Sequence, residues 1–334
     1  MSGRPTIVEV AAHAGVSIAT VSRVLNGKQT RPETAQRVRD AVGVLGYVPD
    51  GVGRALKLGR ALHVAFAVDD LANPVYTQMM AGVEDGLASR KANLLVSSTG
   101  HKEEQLLEFV AGMSDGHADG LIISPLVRTP ALIAALQRVP VPVVLIGRVD
   151  PEIGLDTVTT DSQRGIDLAF DHLLSTGRRT IAMVGGPVGT APGRSRRDAY
   201  LRACARHEIE PRVVPARAFN VSAGEKAFAR LRRGGLPQAV LAANDTLALG
   251  ILRAALTAGV KVPHDLAVTG IDDIEFARVF SPALTTVSLG AGRRGRLAAG
   301  LLLSRMQDRT RPPKVATVAP RLVIRESTAP RGGR

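Results

Sequence analysis

Six side chains near the amino terminus, Ser17, Ile18, Ala19, Thr20, Ser22 and Arg23, have the types and spacing to read the edges of base pairs. Arg23 is the one that can grip guanine O6 and N7 with two parallel bonds, a contact that discriminates by about 1–3 kcal/mol. Ile18 and Ala19 offer only apolar surface, suited to a thymine methyl. Thr6, Ser17, Thr20, Asn26 and Thr34 supply hydroxyls and an amide of the kind that hold phosphates and set register along a duplex. Catalytic chemistry is much thinner. The glycine-rich run Gly185–Gly193 has the look of a phosphate cradle, yet Arg194-Ser195 follows where a P-loop needs Lys and then Ser or Thr, so it reads as a loop. His13, His101, His117 and His207 share no metal-ligand spacing, and the single cysteine, Cys204, excludes an internal disulfide and a thiolate cluster. No metal, cofactor or enzymatic activity is expected.

The elements that must position these side chains follow from local pattern. Thr6 and Glu9 have the spacing of a capping box, after which Ile7, Val10, Ala11 and Ala14 share one helical face. Gly15 falls where the chain must turn sharply. Ser17 can cap a second helix carrying Val21, Val24 and Leu25, and Thr30-Arg-Pro-Glu33 opens a third with the stripe Val38, Ala41, Val42 and Leu45. Three short helices, the second with a polar face, make a small all-α helix-turn-helix DNA-binding domain that lays its second helix in a major groove.

This stretch resembles the amino-terminal domain of the lactose-repressor/galactose-repressor (LacI/GalR) family of bacterial transcription regulators. The matching string is Val10-Ala-x-x-Ala-Gly-Val-Ser17, then Thr20-Val-Ser-Arg-Val-Leu-Asn26 and Leu45-Gly-Tyr-Val-Pro49. The resemblance implies that residues 50–60 form a hinge helix that places Leu56, with Arg54 beside it, in the minor groove; an apolar wedge there unstacks a base step and kinks the duplex. Asp50 and Gly53 depart from the usual Asn and Ala, and each interior Gly costs a helix ~1 kcal/mol. The hinge is therefore expected to order only on DNA.

From Leu62 onward, short apolar runs alternate with helical patterns. Strands are expected at 62–68, 94–97, 120–124, 143–146, 180–184, 239–242 and 267–270. Helices are expected at 76–89, 102–113, 131–137, 163–175, 195–207, 222–232, 246–258 and 293–307. Such alternation builds parallel sheets with helices on both faces, here an α/β core of two doubly wound lobes with a ligand cleft beyond the strand ends.

The resemblance extends here, to the sugar-binding core shared with periplasmic binding proteins, on Asn73-Pro74, Asp161 with Gly165, Gly177–Ala182, Ala243–Gly250, Gly270–Asp273 and Leu284–Val287. It implies that Arg196 grips sugar hydroxyls, that Asn244 and Asp272 act from second-lobe strand ends, and that Phe219 lies against the sugar ring. Asn73 and Tyr76 match first-lobe positions at the cleft mouth, and Asp161 a further one. Gly147, where an Asp can bind effector, and Ile271, where an aromatic is usual, are departures. The chemistry agrees, because planar groups with paired donors or acceptors plus an aromatic face recognise a polyol. Read as residues alone, Asn244-Asp245 is also a helix cap and Asp272-Asp273 also a solvated turn.

The chain has 334 residues, enough for several domains, and divides on this reading into a head at 1–49, a hinge at 50–60 and a core at 61–328. Hydrophobic residues make up 45% and aromatics 3%, which suits Ala, Val and Leu packing in an α/β core. Of a formal net charge of +13, residues 1–60 hold nine Lys/Arg against four Asp/Glu, so the head is the more basic part per residue, as phosphate binding requires. No apolar run approaches the ~20 residues that span a bilayer, and Met1–Pro5 lacks the apolar core of a secretory signal, so a cytoplasmic protein is expected. The expected partners are a near-palindromic double-stranded DNA operator, a second copy of the chain in a homodimer, and a small-molecule effector, a sugar or sugar derivative. Repression is the family's habit. The Pro330–Arg334 tail is assigned no role.

Overall fold

A threonine hydroxyl and a glutamate carboxylate start the fold. Thr6 Oγ1 accepts the Glu9 amide at 3.3 Å while the Glu9 carboxylate accepts the Thr6 amide at 2.5 Å, closing the capping box of α1 (Ile7–Ala14). These bonds from Thr6 hold the Glu9 carboxyl below its usual pKa. Gly15, at φ +62°, ends the helix in the left-handed region, where a side chain is disfavoured. Helix α2 (Ile18–Leu25) follows at 101° to α1, within the range of a helix-turn-helix. Ser17 Oγ accepts the Thr20 amide at 3.2 Å and so caps it. Helix α3 (Pro32–Leu45) completes the head. Val10, Ala11, Ala14, Val21, Val38 and Ala41 form its core, ringed by Ile7, Val16, Val24, Leu25, Val42 and Leu45.

The computed structural model describes residues 5–25, 29–45, 61–100, 102–113, 116–148 and 151–328. Asn26, Arg54, Leu56, the hinge at 50–60 and the tail lie outside the described residues. The chain divides into two units between Arg60 and Ala61.

The second unit holds two six-stranded sheets. In the first, β1 (Leu62–Val68), β2 (Ala92–Ser98), β3 (Gly120–Ser124), β4 (Val143–Ile146), β5 (Asp156–Thr160) and β11 (Val315–Val318) run parallel in the order β2-β1-β3-β4-β5-β11. In the second, β6 (Ile181–Gly185), β7 (Arg212–Pro215), β8 (Ala239–Ala242), β9 (Ala267–Ile271), β10 (Thr285–Ser288) and β12 (Arg321–Val323) lie in the order β7-β6-β8-β9-β10-β12. Only β12 is antiparallel to its neighbour. Every residue of β3, β4, β6, β8 and β9 is buried, as uninterrupted apolar runs demand when helices cover both faces.

Helices α4 (Pro74–Leu87), α5 (Glu103–Gly112), α6 (Pro130–Arg138), α7 (Ser162–Ser175), α8 (Ala191–Arg206), α9 (Val221–Arg233), α10 (Asp245–Thr257), α11 (Phe276–Val279) and α12 (Ala291–Gln307) fill the connections. The expected strands and helices are present within a few residues. The expectations omitted β5, β7, β10, β11, β12 and α11: these are short, Thr-rich or at a sheet edge, and lack a continuous apolar run. Helix α8 begins at Ala191 rather than 195, because Thr190 caps it by accepting the Gly193 amide at 3.1 Å. Among the described residues no single helix is long and apolar enough to cross a membrane.

The chain passes between lobes three times, after β5, after β10 and after β11, so each lobe is built from discontinuous segments. Helix α12 thereby returns to the first lobe and lies on α4 at glycine-to-backbone contact. A Cβ on Gly82 would stand 1.9 Å from the Gly292 carbonyl oxygen, and one on Gly295 2.0 Å from that of Met79. Since neither atom is a movable side chain, Gly295→Val should cost about 3 kcal/mol, the upper part of the usual overpacking range, and lower the urea midpoint of the core. Gly300→Val, with nothing within 4 Å of the added Cβ, serves as the helix-propensity control.

Candidate functional site

The head turns a coherent set of side chains outward. Val21, fully buried, seats α2 on the other helices. That leaves Ser17, Ile18, Ala19 and Arg23 exposed and Thr20 and Ser22 half-buried. Thr6 is exposed, with its hydroxyl and amide already engaged by Glu9; Thr34 is half-buried in the first turn of α3. Arg37, which the sequence reading did not single out, ties α3 to the turn: Nε donates to the Ala14 carbonyl at 3.1 Å and Nη2 to that of Gly15 at 3.0 Å.

In the core, a cavity of about 210 Å³ lies between the lobes. Its walls are the segments that follow the carboxyl ends of β1, β3, β4, β5, β6, β7, β8, β9 and β10, the place where open parallel sheets collect ligand-binding groups. The lobes also bond directly across the cleft, from the Ala191 amide to the Leu126 carbonyl at 2.8 Å and from Gln78 Nε2 to the Asp273 carbonyl at 2.9 Å.

Six of the seven proposed effector positions line this cavity: Asn73, Tyr76, Arg196, Phe219, Asn244 and Asp272. Asp161 does not. It is exposed and caps α7, its Oδ1 accepting the Arg164 amide at 2.9 Å, while its neighbours Thr160 and Ser162 reach the cavity. Asn73 and Asn244 each cap a helix and face the cavity. Asn244 Oδ1 accepts the Leu247 amide at 3.0 Å and its Nδ2 donates to Thr246 Oγ1 at 2.8 Å, which fixes the amide in the 1%-exposed wall. The Phe219 ring packs on Gly186, where a Cβ would come within 2.2 Å of it. The glycine-rich run ahead of α8 therefore borders the cavity, and α8 carries Ser195 and Arg196 into it.

The electrostatic centre is Arg196 with Asp272. They pair at 3.6 Å with both side chains under a tenth exposed, and Arg196 Nη1 also donates to the Ala243 carbonyl. Asp272 sits at φ +120°, a conformation L side chains rarely adopt, which aims its carboxylate from the end of β9 into the cleft. Burial raises the Asp272 pKa, with Arg196 and Arg294 opposing the rise. Burial likewise raises that of Tyr76, reinforced by Asp69 and Asp272. Behind the wall, Asp245 is fully buried; its Oδ1 accepts the Thr286 hydroxyl at 2.5 Å and its Oδ2 the Ile274 amide at 2.9 Å. Desolvation, with Asp272 close by, pushes it up to about 7.

Three cavity arginines escaped the sequence reading: Arg128, Arg148 and Arg294. Arg128 explains Gly147, which has φ +142°: an added Cβ would stand 2.2 Å from Arg128 Nη2, so the guanidinium fills the space an acidic side chain would need. Arg128 and Arg148 follow strand ends, a usable signal. Arg294 stands in α12, whose return to the first lobe no local pattern reveals. Among the described residues no cluster of three or more His, Cys, Asp or Glu is placed to hold a metal.

Comparison with known proteins follows the same division. Residues 6–50 match the family model of bacterial regulatory proteins of the lacI family, and residues 170–328 that of the periplasmic binding protein-like domain. The HTH-type transcriptional regulator CelR of Thermobifida fusca is 34% identical over 97% of this chain and 98% of its own. A solved complex of the transcriptional regulator CelR with cellobiose superposes with a TM-score of 0.72 at 32% identity, covering 97% of this chain and 100% of that one. The lac repressor dimer bound to operator and the anti-inducer ONPF gives 0.72 at 26% identity, over 98% and 99%.

Proposed function

Because the chain belongs to the lactose-repressor family of bacterial transcription regulators, we propose that it acts as a homodimeric, cytoplasmic repressor whose grip on a near-palindromic operator is set by a sugar-class effector held between the core lobes. The head at 1–49 reads bases through α2, Arg54 and Leu56 of the hinge at 50–60 enter the minor groove, and the core at 61–328 senses the effector. No catalytic step is assigned to any residue. The observation that carries the reading is the buried Arg196–Asp272 pair in a cavity walled by both lobes. A ligand bonded to both walls stabilises one lobe arrangement over another, and it can bias the hinge by no more than its difference in affinity for the two. The relatives supply the class: one is solved with cellobiose and another with operator.

The test is a gel shift on the DNA upstream of the gene, with and without candidate sugars. The intact chain should retard that fragment and protect two symmetric half-sites, and an effector should change the midpoint. A chain beginning at residue 61 that retarded the fragment equally well would sink the proposal. Within the head, Arg23→Ala should lower discrimination by about 1–3 kcal/mol at one base pair in each half-site while leaving non-specific binding intact. A uniform loss across all sequences would instead make Arg23 a phosphate contact.

A further inference from the structure

The charge lining the cavity is one-sided. Among the described residues, Arg128, Arg148, Arg196 and Arg294 face it, against one lining carboxylate, Asp272. Arg196 is already paired with that carboxylate. Arg294 is not: it is 9% exposed, its Nε is buried without a partner, and among the described residues its guanidinium makes no hydrogen bond or salt bridge. Arg128 gives one donor to a neutral acceptor, the Arg148 carbonyl, and its Nε too is buried and unpartnered. Burial lowers the pKa of both groups, with Asp272 opposing the fall at Arg294; at about 10, Arg128 stays charged at neutral pH. Asp69 and Asp245 are buried nearby but do not line the cavity.

Position makes the excess harder to explain structurally. Arg294 stands in the first turn of α12, where the helix dipole opposes a cation, and that 17-residue helix has Gly290 at its cap position, no side-chain cap and no acidic residue in its first turn. Its amino terminus thus adds to the positive field instead of offsetting it. A neutral polyol would leave a desolvated guanidinium unpaired, which is costly, whereas an anion would satisfy it.

We propose that the effector is anionic, a small polyhydroxylated molecule bearing a carboxylate or a phosphate, and that Arg294 with Arg128 holds the charged group while Arg196, Asp272 and Asn244 hold its hydroxyls. This rests on the reading of the cleft as the effector site. The anion is the missing partner of the first-lobe arginines, so its arrival joins the first-lobe wall to the hydroxyl-reading second-lobe wall.

The full chain is heated at low, fixed ionic strength with glucose, gluconate, glucuronate, glucose 6-phosphate and inorganic phosphate. Bound ligand raises the melting temperature. An acid or phosphate sugar should raise it where glucose does not, and the carboxylate and phosphate arms separate the two chemistries. Arg294→Gln should weaken the responding anion about tenfold or more and, by removing an unpaired buried charge, raise the melting temperature of the unliganded protein. Arg294→Lys should keep part of the response, and Arg128→Gln reports on the same anion if Arg294→Gln does not fold. Inorganic phosphate matching every sugar anion would overturn the sugar assignment. A neutral sugar whose shift survives Arg294→Gln but not Arg196→Ala would overturn the charge assignment and leave the cleft as the effector site. No shift with any probe, neutral or anionic, would count against the cleft itself.

Discussion

Replacing Asp156 with alanine is expected to destabilise the core by about 3–5 kcal/mol. The carboxylate is completely buried at the start of β5 and bonded on both oxygens. Arg305 Nε and Arg311 Nη2 donate to Oδ2, and Arg311 Nη1 and the Lys314 amide to Oδ1, each at 2.8 Å. These bonds join β5 to the end of α12 and to the link that leads into β11, where the chain last returns to the first sheet. Truncation would leave two largely buried guanidinium groups without their counter-charge, which is why removing one partner costs more than the pair itself contributes. Burial alone would raise the Asp156 pKa, but the bonds from Arg305, Arg311 and Lys314 outweigh it and hold the carboxyl below its usual range. A depressed folded-state pKa gives stability that is complete above about pH 4 and lost as the pH falls through the folded value. Urea unfolding followed by circular dichroism should rank wild type above Asp156→Asn above Asp156→Ala at pH 7, with the gap narrowing in acid. A loss under about 1 kcal/mol for Asp156→Ala would mean the network contributes little to the core.

Asp245 should act in the opposite direction. Its folded pKa, about 7, lies above the unfolded value near 4, so the folded state binds the proton more tightly. Its contribution is therefore complete below about pH 4, declines as the pH rises toward 7 and is flat beyond. Three units correspond to about 4 kcal/mol, so stability should fall by up to that amount across this window, countering the gain from Asp156. Asp245→Asn keeps an acceptor for the Ile274 amide and carries no charge. It should flatten the slope and make the protein more stable than wild type above pH 7. Unfolding midpoints measured from pH 4 to 8 decide the matter: an unchanged slope in Asp245→Asn would assign the titration to another group.

Much of this molecule is written in short-range pattern. The head's stripes, Ile7 with Val10, Ala11 and Ala14, Val21 with Val24 and Leu25, and Val38 with Ala41, Val42 and Leu45, became its core because helical spacing alone decides which side chains share a face. Thr6 and Glu9 closed the expected capping box for the same reason: both partners lie within one turn. Strands with unbroken apolar runs, such as Gly120–Ser124 and Ala239–Ala242, could be read directly. Threonine-rich Asp156–Thr160 and Thr285–Ser288 could not, because what makes them strands is the paired neighbour on each side, parallel on both sides of the first and antiparallel on one side of the second.

The candidate site divides along the same line. Arg196, Asn244 and Asp272 follow second-lobe strands, carry recognisable local strings and do meet at one cavity. Asp161 carries such a string too, but its carboxylate turns to its own helix, a choice set by the 2.9 Å bond to Arg164 N and not by residue type. The sequence by itself determined the helical head, the strand–helix alternation and the residues fit to read bases and hydroxyls, since each depends on neighbours a few positions away. Tertiary structure decided that α12 crosses back to the first lobe, that Arg294 enters the cleft unpaired, and that Arg128 takes the space beside Gly147. The first two depend on which sheet a distant segment closes upon and the third on the pairing of β3 with β4, while charge balance in the cleft is a sum that reaches from Arg128 to Arg294.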